Sequence, residues 1–408
     1  MKRMFLIMMA CMLTNLTYGQ HRVFDKNIHT LQVTLNDNPL LPSILSLGKS
    51  SYLNISWDEM SHEYHRYIYR IQHCNQEWEE TTELFESDFL HGNNDCPIED
   101  YEYSFNTTQI YTHYAMTFPN RDTNVLVSGN YKLLVFEEDN MDDGPVIEVR
   151  FHVVEETMGL SMQVSSNTDI DFNNSHQQVA LNLNYGAIRV SDPYTQISAV
   201  VTQNRRPSRT VTGIRPDINK SNGLEWKHCS KLIFPAGNEY YKFEILDVNL
   251  SGMNVDRMRW FEPFHHAILW EDKVPLTYAT TEDRNGSFFP RTDDQENNDT
   301  QSEYVIVHFT LQSPRLQQKV YVNGLWSNGE FNEEYQMQYN DEYGLYEASV
   351  LMKQGYYDYQ YITEDGATML TMGDFWQTEN EYQAFIYYKE IGGRYDRIVG
   401  YTRVNTRF

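Results

Sequence analysis

Apolar and polar residues alternate in short runs along most of this chain, and turn signals separate the runs. Tyr67-Ile68-Tyr69-Arg70-Ile71-Gln72-His73 shows the period of two most plainly, placing Tyr67, Tyr69, Ile71 and His73 on one face of a strand. Tyr131-Lys132-Leu133-Leu134-Val135-Phe136 reads as a strand buried on both faces. With 29–35, 51–57, 100–106, 111–118 and 146–154, the first third of the chain carries about seven strands, and no strand–helix–strand rhythm interrupts them. That spacing predicts a β-sandwich of immunoglobulin or fibronectin type.

A second group of strands is expected at 160–165, 177–185, 196–203, 239–246 and 265–271. A third is expected at 304–311, 319–322, 347–351, 356–362, 383–388 and 397–404. Glu155-Glu156-Thr157-Met158-Gly159 separates the first two groups. The Asn-, Asp- and Gln-rich stretch from Asp283 to Gln301 separates the last two. The expected organisation is all-β with tandem sandwiches: 20–155, then 156–282, a polar linker at 283–301, and 302–408.

The N-terminus reads as an address. Lys2 and Arg3 precede an apolar run from Met4 to Leu13, and Thr17-Tyr18-Gly19 offers small residues before Gln20. A run of about ten residues is too short to span a bilayer, so residues 1–19 read as a signal peptide for export. No later segment has the length or apolarity to cross a membrane as a helix, and direct membrane insertion is not expected.

Composition supports the β reading and narrows the partners. Aromatic residues reach 14% of 408, with 30 tyrosines, and such side chains suit a pleated, half-buried surface. The net charge of −25 repels phosphate backbones, which argues against nucleic-acid binding. One segment runs against that field: Arg205, Arg206, Arg209, Arg215 and Lys220 make the 204–222 interval basic, a solvated loop or a partner contact.

Beyond the signal, Cys74, Cys96 and Cys229 remain. Export makes a Cys74–Cys96 disulfide a candidate, closing a loop of roughly 22 residues and worth about 3 kcal/mol. The odd Cys229 shows that the three are not a disulfide framework.

Chemistry-bearing motifs are sparse. The sequence has no CxxC, HExxH, GxSxG, Walker or dinucleotide signature. Adjacent His265 and His266 would point to opposite faces of a strand and cannot chelate one metal together. Asp139-Asn140-Met141-Asp142-Asp143-Gly144 departs from the calcium-loop pattern and suits only a loosely held ion. Acid pairs such as Glu79-Glu80 sit in turn-like contexts. No catalytic residue, metal or cofactor is assigned.

Several words together carry a resemblance. His73-Cys74-Asn75-Gln76-Glu77-Trp78, Ile98-Glu99-Asp100-Tyr101-Glu102-Tyr103-Ser104-Phe105-Asn106-Thr107, Tyr111-Thr112-His113-Tyr114 and Ser128-Gly129-Asn130-Tyr131 resemble the N-terminal domain of the type IX secretion plug proteins of Bacteroidetes. Pro235-Ala236-Gly237-Asn238-Glu239, Tyr304–Leu311, Thr378-Glu379-Asn380-Glu381-Tyr382 and Gly393-Arg394-Tyr395-Asp396-Arg397 look like the same family. Cys96, inside the Asn93-Asn94 turn, departs from the family pattern and counts against the disulfide. The resemblance implies a non-enzymatic periplasmic protein, associated with the outer membrane through its partner. That partner is the outer-membrane β-barrel translocon, whose periplasmic opening the plug seals when no cargo is engaged. The resemblance assigns no individual binding residues.

A second resemblance joins Val320-Tyr321-Val322-Asn323-Gly324, Gly344-Leu345-Tyr346 and Gly355-Tyr356-Tyr357-Asp358-Tyr359-Gln360-Tyr361. They are similar to early-set immunoglobulin-like domains related to glycogen-binding modules. It implies an early-set-like last domain and offers the alternative of an exported carbohydrate-binding protein. In that reading Trp326 and the tyrosines of 356–361 would have to stand exposed as a platform for sugar rings.

Overall fold

In a computed structural model, residues 21–61, 63–294, 296–366 and 370–408 are described. The expected signal at 1–19 lies outside them. Strands dominate, and the α-helices among the described residues are single turns: Glu86–Phe89, Pro193–Gln196 and Asn298–Gln301.

The first sandwich is built from two facing sheets. One sheet runs Arg22–Val23, Ile147–Val154, Gly129–Glu137, Tyr67–Cys74, Cys96–Ile98, with Ile44–Ser46 parallel to Ile147–Val154. The facing sheet runs Ile28–Leu35, Leu53–Glu59, Thr112–Phe118, Asp100–Tyr103. Alternation sends Tyr67, Tyr69 and Ile71 inward to meet Ile55, Trp57, Tyr114 and Phe118 from the other sheet.

The remaining strands pair in an order that the expected boundaries do not give. Glu381–Tyr388 is a central strand of a sheet with Ile197–Gln203, Thr210–Val211 and Arg397–Asn405. This sheet covers Gly159–Ser165, His176–Asn184, Gly223–Trp226 and Ile218–Lys220, with Ile233–Pro235 on the same sheet. Tyr382, Ala384, Ile386 and Val399 share one core with Val179, Leu181, Leu224 and Trp226. The second sandwich therefore consists of about 156–236 together with about 376–408.

The third sandwich is inserted between those two parts. Its sheets are Tyr241–Ile245, Gly355–Thr363, Phe288–Pro290 and Val320–Asn323 against Val255–Phe261, Phe264–Leu269, Tyr304–Gln312, Leu345–Lys353 and Gln338–Asn340. The expected blocks 156–282 and 302–408 are thus corrected: strands at 241–245 and 264–269 belong to the third unit, and those at 381–388 and 397–405 to the second. The insert enters and leaves at one point, where Gly237 N–H donates to Asp374 Oδ1 at 2.6 Å and Phe375 N–H to the Gly237 carbonyl at 2.8 Å. Side-chain alternation specifies which face of a strand is buried. It does not specify which distant strand lies beside it.

The 283–301 stretch is likewise no free linker. Phe288–Pro290 pairs with Gly355–Thr363, and Ser287, Thr292 and Thr300 are buried. Its polarity is local wiring: Asp283 accepts from the Tyr240 and Asn285 amides, and Thr292 Oγ1 donates to Asp294 Oδ1 at 2.6 Å.

The candidate disulfide does not form, and all three described cysteines are free. Cys96 pairs with Tyr69, five residues along the strand from Cys74. At about 3.3 Å per residue that is roughly 17 Å, well beyond the ~7 Å that a disulfide can bridge. Burial pushes the Cys74 thiol up to about 12, which leaves it a poor nucleophile.

A chain ended after residue 375 loses a central strand of the second sandwich but none of the first. We expect limited proteolysis of that truncation to yield a resistant fragment of about 21–155 and to digest 156–236. A resistant 156–236 fragment would contradict the discontinuous assignment.

Candidate functional site

The described residues contain no group of three or more His, Cys, Asp or Glu side chains placed to hold a metal ion. The weak calcium-loop candidate is a 3-10 turn, Glu138–Asp143, in which Asn140 Nδ2 donates to Glu137 Oε2 at 2.7 Å. His265 and His266 do face opposite ways: His265 lies against Trp260, while His266 Nδ1 is 2.8 Å from His308 Nε2.

The carbohydrate alternative loses its residues. Trp326 is 6% exposed, and its indole donates to the Asp358 carbonyl at 2.8 Å while packing against Tyr335 and Phe309. Tyr356, Tyr357, Tyr359 and Tyr361 are all buried, and the last two donate to Asp272 Oδ2 at 2.7 and 2.6 Å. These tyrosines are core, each hydroxyl satisfied from within.

What the fold does build is three junctions, and the words that carried the plug resemblance meet there. Between the first and third sandwiches, Asp58 and Lys353 form an ion pair at 2.7 Å with both side chains 1% exposed. His113 Nδ1 lies 2.7 Å from Asp58 Oδ1, Tyr304 O–H donates to Oδ2 at 2.7 Å, and the Lys353 ammonium sits over the Tyr111 ring. Burial pushes the Asp58 carboxyl up, but Lys353 and His113 outweigh it and hold the group below its usual range. Nearby, Glu303 accepts from Thr108 Oγ1 at 2.8 Å and from the Gln109 amide at 3.1 Å.

Between the first and second sandwiches, Arg397 forks onto Glu155 at 2.6 and 2.8 Å, and Ser128 Oγ donates to the same carboxylate. Asp396 accepts the Gln76 amide, and Tyr395 packs edge-on to His73. Asn130, fully buried, donates to the Asn75 carbonyl, and its Oδ1 receives Tyr387 O–H at 2.8 Å. Gly129 is required here: it has φ +152, and a Cβ would lie 2.3 Å from His73 Nε2. Burial drives His73 down to about 4, so the imidazole at this junction is neutral at pH 7.

Between the second and third, Arg206 meets Glu330 at 2.7 Å with both side chains nearly inaccessible, and Ser208 donates twice to Glu330 at 2.6 Å. Arg209 donates to the Gly366 carbonyl, and Arg205 joins Glu381 to the Leu40 carbonyl of the first sandwich. Arg215 and Lys220 of the basic 204–222 interval stay exposed, but Arg205, Arg206 and Arg209 are neither solvated nor a partner contact. They are internal bolts. Only their charge was legible in the sequence, because their acceptors lie over 120 residues away for Arg206 and Arg209.

Outside the junctions, exposed apolar residues are spread over all three sandwiches, and one group of them lies beside the junction of the first and third. Tyr64, Tyr101, Tyr103, Phe105 and Ile110 of the first sandwich and the Trp260-Phe261 hairpin tip of the third are 37–61% exposed. Gln109 Nε2 donates to the Pro263 carbonyl at 2.7 Å and Phe105 N–H to the Thr300 carbonyl at 2.9 Å, which joins the two sets across the junction. Exposed apolar patches of this kind mark contact surfaces, and Tyr and Trp dominate such contacts.

The molecule defined by these features is an all-β protein of three mutually bolted sandwiches. Residues 28–155 match the family model for the type 9 secretion system plug protein 1st domain. A crystal structure of a hypothetical protein from Parabacteroides merdae ATCC 43184 superposes with a TM-score of 0.91 at 36% identity, covering 95% of this chain and 99% of that one. No curated protein matches. The chain belongs to the type IX secretion system plug protein family.

Two predictions test the internal wiring. Lys353→Ala strands Asp58 in a dry junction and should cost about 3–5 kcal/mol in urea unfolding, whereas Arg397→Ala, at a pair still partly open to solvent, should cost less, about 1–2 kcal/mol; equal small losses would contradict the buried-pair assignment. The second concerns Asp272, which burial raises from 3.8 to about 6 in spite of its two tyrosine donors. The folded chain keeps this proton where the unfolded chain has lost it, so the group's contribution to stability is present below about pH 4 and is lost as pH rises through 6. The advantage of Asp272→Asn over the parent should therefore grow by about 2–3 kcal/mol between pH 4 and pH 8 in urea titrations; a pH-independent difference would refute it.

Proposed function

We propose that this protein is exported to the periplasm and closes the periplasmic opening of the outer-membrane β-barrel translocon of type IX secretion when no cargo is engaged. Membership of the plug family is the observation that carries this reading. The geometry supports it in a specific way. A plug acts by occupying space, so it needs a body that keeps its shape against an opening. Three sandwiches joined by hydrogen-bonded ion pairs, two of them buried, meet that need. Contacts that bury little continuous apolar area are strong enough to seat a body yet weak enough to release it, and the exposed Tyr, Phe and Trp side chains are candidates for them. The role requires no bond-making chemistry, and the protein is proposed to be non-enzymatic.

Deleting the gene should raise entry of large antibiotics and dyes across the outer membrane in cells that carry the translocon. The same deletion should have no effect where the translocon is also absent. Unchanged permeability in the translocon-bearing strain would refute sealing, and crosslinking that never recovers a very large outer-membrane barrel would refute the partner.

A further inference from the structure

A cavity of about 130 Å³ lies where all three sandwiches meet. Trp78 and His152 wall it from the first, Val200 and Phe385 from the second, and Phe288 from the third. Most of the wall is apolar, and its arginines are already matched: Arg150 Nε donates to Glu148 at 2.6 Å, and Arg205 forks onto Glu381. An ion entering here would give up its water to meet cations that are paired, so the walls favour an uncharged guest.

Two imidazoles on the wall, His21 and His152, give the cavity polarity and direction. The Arg150 amide donates to His21 Nδ1 at 3.1 Å, so that nitrogen carries the lone pair. Burial, and then the charges of Arg150 and Arg205, bring this ring down to about 4; it is neutral at pH 7 and its proton sits on Nε2. His152 is the reverse. Its Nδ1 lies 2.8 Å from Asn130 Oδ1, an oxygen that only accepts, because Asn130 Nδ2 donates to the Asn75 carbonyl. Burial lowers His152 to about 3, so Nδ1 holds its one proton and Nε2 the lone pair. Among the described residues neither Nε2 has a hydrogen-bond partner. The wall therefore carries one N–H donor and one nitrogen acceptor, both neutral.

Size sets the rest. An apolar cavity of ~150 Å³ holds a benzene ring, so this one suits a six-membered ring between Trp78, Phe288 and Phe385. A hydroxyl is the smallest group that both donates and accepts. We propose that this cavity binds a small uncharged aromatic ring bearing one hydroxyl, a phenol, which accepts from His21 Nε2–H and donates to His152 Nε2. The assignment stands apart from the sealing role, since nothing in it depends on the translocon. Because its walls belong to three sandwiches, occupancy ties them together and raises the unfolding temperature.

The test titrates phenol into the full chain by isothermal titration calorimetry, with toluene as a probe of the same shape that lacks the hydroxyl. Phenol should bind at one site about tenfold more tightly than toluene, which leaves both nitrogens without a partner. His21→Ala and His152→Leu should each cut that preference to about twofold or less, because each removes one of the two nitrogens. The ratio is read within one variant, so a general loss of stability does not mimic the effect. His21→Ala, whose ring accepts from a single backbone amide at the edge of a sheet, carries the test if His152→Leu fails to fold. No binding of phenol, equal binding of phenol and toluene, or a tenfold preference kept by His21→Ala would each overturn the proposal.

Discussion

The buried ion pair between Asp58 and Lys353 sets the constraint on which the rest of this molecule depends. Neither group can stay charged in a dry junction without the other, and the two meet in only one relative placement of the first and third sandwiches. Arg206–Glu330 imposes the same condition between second and third, and Arg397–Glu155, partly exposed, a milder one between first and second. Apolar contact supplies attraction, as in the Ile44, Val154, Val200, Phe385, Tyr387 and Ile398 cluster between the first two units. Attraction of that kind is non-directional. The charge pairs add direction, because a rotated junction would bury each partner unpaired.

The inserted topology works to the same end. Because the second sandwich is completed by strands that follow the third, the chain crosses between those two units twice, at neighbouring points. Two crossings restrict relative rotation in a way that a single linker cannot. Thr378 Oγ1 donates to the Gly237 carbonyl and Asn380 Nδ2 to the Ala236 carbonyl, so both crossings are stitched together at the base of the insert. Covalent path and electrostatics thus converge on one rigid body, which is the property a space-filling role requires.

The aromatic excess divides into two populations with different work. Tyr357, Tyr359 and Tyr361 fill the third core with their hydroxyls satisfied inside it, and Trp326 joins them there. Tyr64, Tyr101 and Tyr103 stay partly exposed at the periphery of the first sandwich. Both sets come from alternating words of the same appearance. Composition alone cannot separate packing tyrosines from contact tyrosines, since the difference is whether another sheet lies over the face.

Local pattern determined much of this protein: strand identity in the first sandwich, the inward face of Tyr67, Tyr69 and Ile71, the opposed directions of His265 and His266, and the family itself through words such as Ser128-Gly129-Asn130-Tyr131. These are legible because alternation and turn chemistry act within a few residues. Tertiary structure alone decided that strands at 381–388 and 397–405 complete the second sandwich, that Cys74 and Cys96 lie at different heights of one sheet, and that Arg205, Arg206 and Arg209 bind internal acceptors. Each of those outcomes is a pairing across a long stretch of chain. A pairing of that kind is fixed by which surfaces and charges satisfy one another when the sandwiches close, and no short window of residues contains both partners.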